Sequence, residues 1–209
     1  MVSNNIESNL IRRAKRGDPQ ALDELFVSEQ NYLFNLMYQL SGDVATAEDL
    51  VQETFLRAYQ KLSSFRLKSR FRTWLTRVAI NIFLQSKRKK PELYILNLGE
   101  IKVPSQDDCP ERIVIKREIQ WCIHHTLHHH VPEKFRILLI LRELQGFSYK
   151  DIAKILRTSV PDVKIRLYRA RNFLKEIFTH PQSPCHGFVK EYRCVCDGIL
   201  EIEREMEKE

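Results

Sequence analysis

Apolar residues recur at three- and four-residue steps along most of the chain, and few stretches alternate in the two-residue rhythm of a strand. The pattern predicts helices. A short one covers Ile6 to Arg16, with Leu10, Ile11 and Ala14 on one side, and stops at Gly17-Asp18-Pro19. Asp18 can cap the next helix and Pro19 occupies its first position. That helix carries Ala21, Leu22, Leu25 and Phe26, then Tyr32, Leu33, Leu36, Met37 and Leu40, with a candidate break near Ser28 and an end at Ser41-Gly42. A third helix runs from Ala45 to Leu62, with Leu50, Val51, Thr54, Phe55, Ala58 and Leu62 facing inward. Asp43, Glu48, Asp49 and Glu53 place negative charge in its N-terminal half, which complements the helix dipole. Asp49, Gln52, Glu53 and Arg57 also form a polar stripe able to meet a partner.

In the fourth helix, apolar Phe71, Trp74, Leu75, Val78, Ile82 and Phe83 share a face. From Phe65 to Lys90 the segment holds Arg66, Lys68, Arg70, Arg72, Arg77, Lys87, Arg88, Lys89 and Lys90 but no acidic residue. So much uncompensated charge on a packed helix calls for an anionic partner, most often a nucleic-acid backbone. Phe65, Phe71 and Trp74 beside it could stack on unpaired bases, or be plain core.

After Pro91 the periodicity dissolves until about Cys109, which reads as a linker of about 20 residues, about 65 Å when extended. That exceeds one turn of duplex DNA, about 34 Å. Helical spacing resumes from Glu111 to about His130, and Pro132 opens PEKFRILLILREL, closed by Gly146. Ile152, Ala153 and Leu156 then form a short helix, Arg157 to Val160 a turn, and Val163, Leu167, Ala170 and Leu174 a second helix. This is helix-turn-helix spacing, and Lys164, Arg166, Tyr168, Arg169 and Arg171 cover the outer faces of the second helix, where major-groove docking needs them.

Composition narrows the class. The chain has 209 residues, a formal charge of +7 and 43% apolar content, enough for one or two domains. No run of eighteen apolar residues predicts a membrane span, and MVSNNIESNLIRRAKRGD lacks the apolar core of a secretory signal. Five cysteines, three of them in the last 25 residues, do not resemble the disulfide framework of a secreted domain, so a reducing cytoplasm is expected. No nucleophile–base pairing, phosphate-binding glycine loop or carboxylate pair points to an enzyme.

Taken together, AEDLVQETFLRAYQ (Ala47 to Gln60), FRTWLTRVAINIFLQSKRK (Phe71 to Lys89) and VPEKFRILLILRELQGFSYKDIAKIL with VKIRLYRAR (Val131 to Arg171) resemble a bacterial RNA polymerase sigma factor of the extracytoplasmic-function group. The resemblance implies an all-α chain of two small helical domains on a flexible linker. Region 2 would occupy 1–91, the linker 92–110, region 4 the stretch 111–180, and a cysteine-rich tail 181–209. It also implies a role in directing core polymerase to promoters, in a stress or metal response, without catalysis or a required cofactor. The implied partners are core polymerase (clamp helices of the largest subunit and the flap), promoter DNA and an anti-sigma factor, with no membrane insertion.

By the same resemblance Asp49, Gln52, Glu53 and Arg57 would bind polymerase. Arg66, Lys68, Ser69, Arg70, Arg72, Trp74, Arg77, Asn81, Lys87 and Arg88 would open and read the −10 element, where a non-template base would be flipped from the stack. Lys164, Ile165, Arg166, Tyr168, Arg169 and Arg171 would read the −35 element. Three positions depart from the family pattern: Gln85 replaces an Asp, Ile165 a common Ser, and Arg157 the Gly of the turn. A left-handed backbone at Arg157 would be costly, so a different turn is expected.

Cys185, His186, Cys194 and Cys196 offer four soft ligands, suited to zinc or copper, without standard finger spacing. Three readings stay open for them: metal sensing, a thiol redox switch, or no role of their own. His124/His128 and His125/His129 are i,i+4 pairs that could chelate a metal or simply lie at a solvated helix end, and Cys109 and Cys122 read as incidental or buried. The competing function is a free-standing DNA-binding regulator, which would have little use for the acidic stripe of the third helix.

Overall fold

Asp18 begins the first long helix as its position predicts. Its carboxylate accepts from the Gln20 and Ala21 amides at 3.1 and 3.2 Å, and Pro19 follows at the first helical position. The computed structural model describes residues 2–67, 69–89 and 122–180. Its helices are α1 (Val2–Lys15), α2 (Pro19–Ser41), α3 (Val44–Lys61), α4 (Phe71–Lys89), α5 (122–129), α6 (Glu133–Leu139), α7 (Tyr149–Leu156) and α8 (Val160–Thr179). A 3-10 turn, Leu62–Ser64, follows α3, and a π-helical segment, Ile140–Leu144, follows α6. No strand occurs among the described residues.

The helices fall into two compact units, one made of α1 to α4 with α7, the other of α5, α6, the π segment and α8. In the first, α2 is unbroken. Ser28 returns its hydroxyl to the Leu25 carbonyl at 2.8 Å, so the expected break is absorbed within the helix. Gly42 ends α2 in a left-handed conformation (φ 81°), and its N–H reaches the Tyr38 carbonyl. Asp43 caps α3 through the Thr46 amide. Leu33, Leu36, Leu40, Ala47, Ala58, Leu75 and Phe83 are fully buried, and Phe26 stacks on Phe55 at 4.7 Å.

The α4 helix is buried over more of its circumference than one apolar face. Thr73, Thr76 and Ile80 are buried along with the predicted Phe71, Trp74, Leu75, Val78, Ile82 and Phe83. The threonine at 76 is satisfied by the Arg72 carbonyl and by the Tyr32 hydroxyl at 2.6 Å. Burial pushes the Tyr32 phenol well above its ordinary range, so it stays a neutral hydrogen-bonding group.

In the second unit, Leu127, Val131, Leu139 and Ala170 form a core flanked by Ile123, Phe135, Leu174 and Ile177. Buried Arg136 donates to the Leu127 and His128 carbonyls, both at 3.4 Å, at the C-terminal end of α5, where positive charge is favoured. Cys122, expected to be incidental or buried, is buried against Phe178 and is disulfide-bonded. Ile113, Ile115, Ile119 and Cys109 lie outside the described residues.

Where one continuous helix was expected up to Gly146, α6 gives way to the π segment, whose wider turn is closed by the Gln145 N–H on the Ile140 carbonyl.

Within this unit the rings of His124 and His125 lie tilted against those of His128 and His129, each pair 4.4 Å apart. Desolvation first, then neighbouring positive charge, holds the His124 and His125 imidazoles below the usual value near 6.5. A depressed folded-state value means that the unfolded chain takes up the protons more readily. The stabilising contribution is therefore complete above about pH 6.5 and is lost as pH falls toward the folded-state values. Thermal unfolding between pH 7.5 and 5.5 is expected to show the second unit losing stability on acidification. In a His124→Asn variant the loss should shrink.

Candidate nucleic-acid interface

Three surfaces carry the polar residues singled out by the sequence. On α3, Asp49, Gln52 and Arg57 are exposed and Glu53 is half-buried. Arg57 donates through Nε to Glu53 at 2.8 Å, an i,i+4 pair worth at most a few tenths of a kcal/mol in solvent. Leu56 and Tyr59, 60% and 61% exposed, sit in phase with Asp49 and Gln52 at steps of three and four. The inner face and the polar stripe read from the sequence include neither of them. Their phase, offset from Leu50, Thr54 and Ala58, was the available signal. An exposed apolar pair beside an acidic end suits a protein partner better than a nucleic acid.

On α4, Arg77, Asn81, Gln85 and Arg88 follow one another at steps of four, four and three, so they share a face. Asn81, Gln85 and Arg88 are exposed and Arg77 is half-buried. Lys87 is half-buried with its ammonium 5.8 Å from the Phe83 ring. The loop before α4 presents Arg66, Leu67 and Arg70 to solvent, with Ser69 half-buried; Lys68 lies outside the described residues. Leu67 adopts a left-handed backbone (φ 54°), an unusual conformation for a branched side chain.

Of the expected DNA contacts on this element, Trp74 is buried, while Arg72 is ion-paired with its side chain 49% exposed. Trp74 is 7% exposed, and its ring lies 5.1 Å from Phe65 and 5.6 Å from Phe71. With both neighbours aromatic and its surface covered, it packs the core under the loop and has no face to offer a base. Phe65 and Phe71, 6.0 Å apart, are buried for the same reason. Arg72 makes a two-pronged ion pair with Glu29, Nε to Oε2 at 2.7 Å and Nη2 to Oε1 at 3.2 Å, and lies 4.5 Å from the Tyr32 ring centre. The bonds to Glu29 hold its guanidinium charged above the ordinary range.

On α8, Lys164, Ile165, Arg166, Tyr168 and Arg169 are exposed, with Ile165 and Tyr168 at 53% and 52%. Arg166 pairs with Asp162 one turn earlier at 3.0 Å. Arg171 is the correction here: it is 5% exposed, and its Nε and Nη2 both donate to Glu143 of the π segment, at 3.0 and 2.8 Å. A guanidinium committed in this way is a structural group, not a phosphate ligand. Ahead of α8, Arg157 takes the left-handed turn (φ 55°, ψ 47°) expected to be too costly, and the Thr158 N–H closes it on the Ala153 carbonyl at 3.0 Å. The turn keeps its geometry without glycine, at a strain of about 1 kcal/mol.

Cys185, His186, Cys194 and Cys196 lie outside the described residues. Among the described residues no group of three or more His, Cys, Asp or Glu side chains is placed to hold a metal ion, the paired histidines of α5 included. Nor is any described helix long and apolar enough to cross a membrane.

The family model for Sigma-70 region 2 matches residues 25–91, and that for Sigma-70 region 4 matches residues 125–174. The chain is 33% identical over 180 residues to the RNA polymerase sigma-H factor of Pseudomonas aeruginosa, covering 82% of this chain and 93% of the relative. It is 33% identical over 177 residues to the ECF RNA polymerase sigma-E factor of Haemophilus influenzae, covering 79% and 92%. Among solved structures, the sigma factor RpoE of Bartonella quintana, bound to the anti-sigma factor NepR, is similar at a TM-score of 0.55 and 26% identity over 77% of this chain and 98% of that one. CnrH bound to the cytosolic domain of CnrY shares the fold at a TM-score of 0.61 and 20% identity, over 82% and 96%. Proteins of this family are regulatory DNA-binding subunits that start transcription, not enzymes; the chain belongs to the extracytoplasmic-function family of RNA polymerase sigma factors.

Proposed function

We propose that α3 is the polymerase-docking helix and that the loop 66–70, the α4 stripe and α8 divide the promoter between them. The observation that carries this reading is the chemical separation of the exposed faces. The α3 face is acidic and apolar (Asp49, Gln52, Leu56, Tyr59), whereas those of α4 and α8 are basic and amide-bearing (Arg77, Asn81, Gln85, Arg88; Lys164, Tyr168, Arg169). The first suits the clamp helices of the largest subunit, the other two DNA. Arg66, Ser69 and Arg70 with the α4 stripe would hold the opened −10 strand, and Arg72 and Trp74 would support them from below. The −35 contacts would come from Lys164, Ile165, Arg166, Tyr168 and Arg169 in the major groove, with region 4 reaching the flap. The functional division would place region 2 at 1–91 and region 4 at 111–180, around the matched stretches 25–91 and 125–174, with 92–110 as linker.

Regulation by an anti-sigma factor is the reading favoured by the NepR complex of the similar Bartonella protein. A metal- or thiol-sensing role for Cys185, His186, Cys194 and Cys196 is a second proposal that rests on their composition, and assignment to a stress or metal response follows from either. The test of docking is core polymerase affinity. An Asp49→Lys substitution on the exposed face of α3 is expected to weaken core binding about tenfold or more, leaving helicity and Tm unchanged. Unchanged core affinity would remove α3 from the docking surface and favour a regulator that works without polymerase.

A further inference from the structure

We infer that α1 is a jig for the promoter-opening loop, with Glu7 and Lys15 as positioning residues that fix the two ends of that loop. The inference rests on the reading of loop 66–70 as the −10 reader. The Phe71 N–H, one of the amides left without an intrahelical acceptor at the start of α4, donates to Glu7 Oε1 at 3.0 Å. At the other end, Lys15 Nζ donates to the Phe65 carbonyl at 3.0 Å. The loop is thus held at Phe65, the residue that follows the 3-10 turn, and at Phe71, the first residue of α4. Glu7 and Lys15 stand eight residues apart on α1, about 12 Å along the axis and on one face, with fully buried Ile11 midway between them. Ile11 seats α1 in the core, and the polar residues on either side of it reach the loop.

Among the described residues, the span between these anchors is further held by the Trp74 N–H on the Arg70 carbonyl at 3.2 Å and by packing at its base. Phe65 and Phe71 pack together with Trp74, which closes the loop at its base. Beyond that base, Arg66, Leu67 and Arg70 are exposed, and Leu67 is held in the left-handed region. An exposed loop, left free, would spread over many conformations. Fixing its ends before DNA arrives removes part of that ordering cost from strand capture.

The experiment compares Glu7→Ala and Lys15→Met with Glu7→Gln and Lys15→Arg in the full chain. A glutamine oxygen can still accept from the Phe71 amide, and an arginine can still donate to the Phe65 carbonyl. Hydrogen exchange at the Phe71 amide is expected to speed up about tenfold in Glu7→Ala and to stay within about twofold of the parent in Glu7→Gln. In holoenzyme, on a promoter selected by the parent protein from a genomic library, strand opening is expected to slow about five- to tenfold for Glu7→Ala and Lys15→Met. The conservative variants should restore it, and core binding should match the parent in all four. Opening at the parent rate in Glu7→Ala and Lys15→Met would overturn the inference, as would a Glu7→Gln variant as slow as Glu7→Ala. A loss of opening matched by an equal loss of core binding would also overturn it, by making α1 a general stabiliser. If the parent itself starts no transcription, the reading of the loop fails, whereas the exchange data still decide whether α1 holds it.

Discussion

Trp74→Ala is expected to lower the stability of the first unit by about 3–5 kcal/mol, the range for deleting a buried indole. For a unit of this size that corresponds to a fall in Tm of about 12–20 °C. The argument rests on Trp74 being 7% exposed between the Phe65 and Phe71 rings, where truncation leaves a void directly beneath the loop. A tryptophan waiting to stack on a flipped base would behave differently: removing it would leave stability within about 0.5 kcal/mol of the parent and weaken only promoter opening. Circular dichroism melts of the two proteins separate these outcomes.

The second large effect is expected at Arg171→Met. Arg171 is 5% exposed and gives two hydrogen bonds to Glu143, whose side chain is 30% exposed. Removing one partner of a buried pair costs about 3–5 kcal/mol when the remaining charge is sealed from water. Partial solvation of Glu143 places this case near the lower end, at about 3 kcal/mol. Replacing Glu143 with Met in the same protein should recover part of the loss, because the orphaned carboxylate is gone. Were Arg171 a phosphate ligand, the substitution would leave the melt unchanged and reduce the salt slope of DNA binding by about one. Urea unfolding and a salt titration of DNA binding, run on the same variant, distinguish the two roles.

Both residues illustrate what could be read in the sequence and what could not. Helix boundaries were legible where a cap carried its own signal: Asp18 with Pro19, and Ser41-Gly42. Trp74 belongs to the apolar period of Phe71, Leu75 and Val78, so its burial was written in the pattern even as its basic neighbours suggested a stacking role. Arg171 stands four residues after Leu167 and eight after Val163, on the inner face of α8. Its phase pointed inward while its charge pointed to DNA. The partner that settles the conflict, Glu143, is 28 residues away on a π turn that spacing does not announce. The same holds for Arg72 and Glu29, separated by 43 residues, and for Glu7 and Phe71, separated by 64. Pairings at such distances arise from how the helices pack, and no local rule encodes them. Arg157 shows the opposite limit, since the local rule was sound and the surrounding turn overrode it at modest strain.

The candidate surfaces divided along similar lines. Asn81 and Arg88 on α4, and Lys164, Tyr168 and Arg169 on α8, are exposed. Leu56 and Tyr59 fall outside both the inner face and the polar stripe read from the sequence, and more than half of each is exposed. Their position beside Asp49 and Gln52 makes the α3 surface a mixed apolar and acidic face, the composition expected where one protein docks on another.

The most direct test of the central claim is run-off transcription by core polymerase with the purified chain, on a genomic promoter library, with an Arg77→Ala/Asn81→Ala protein in parallel. The account predicts start sites that appear only when the chain is added and fade in the double variant, with core binding retained. A chain that binds duplex DNA on its own, but neither binds core nor yields any start site, would contradict it.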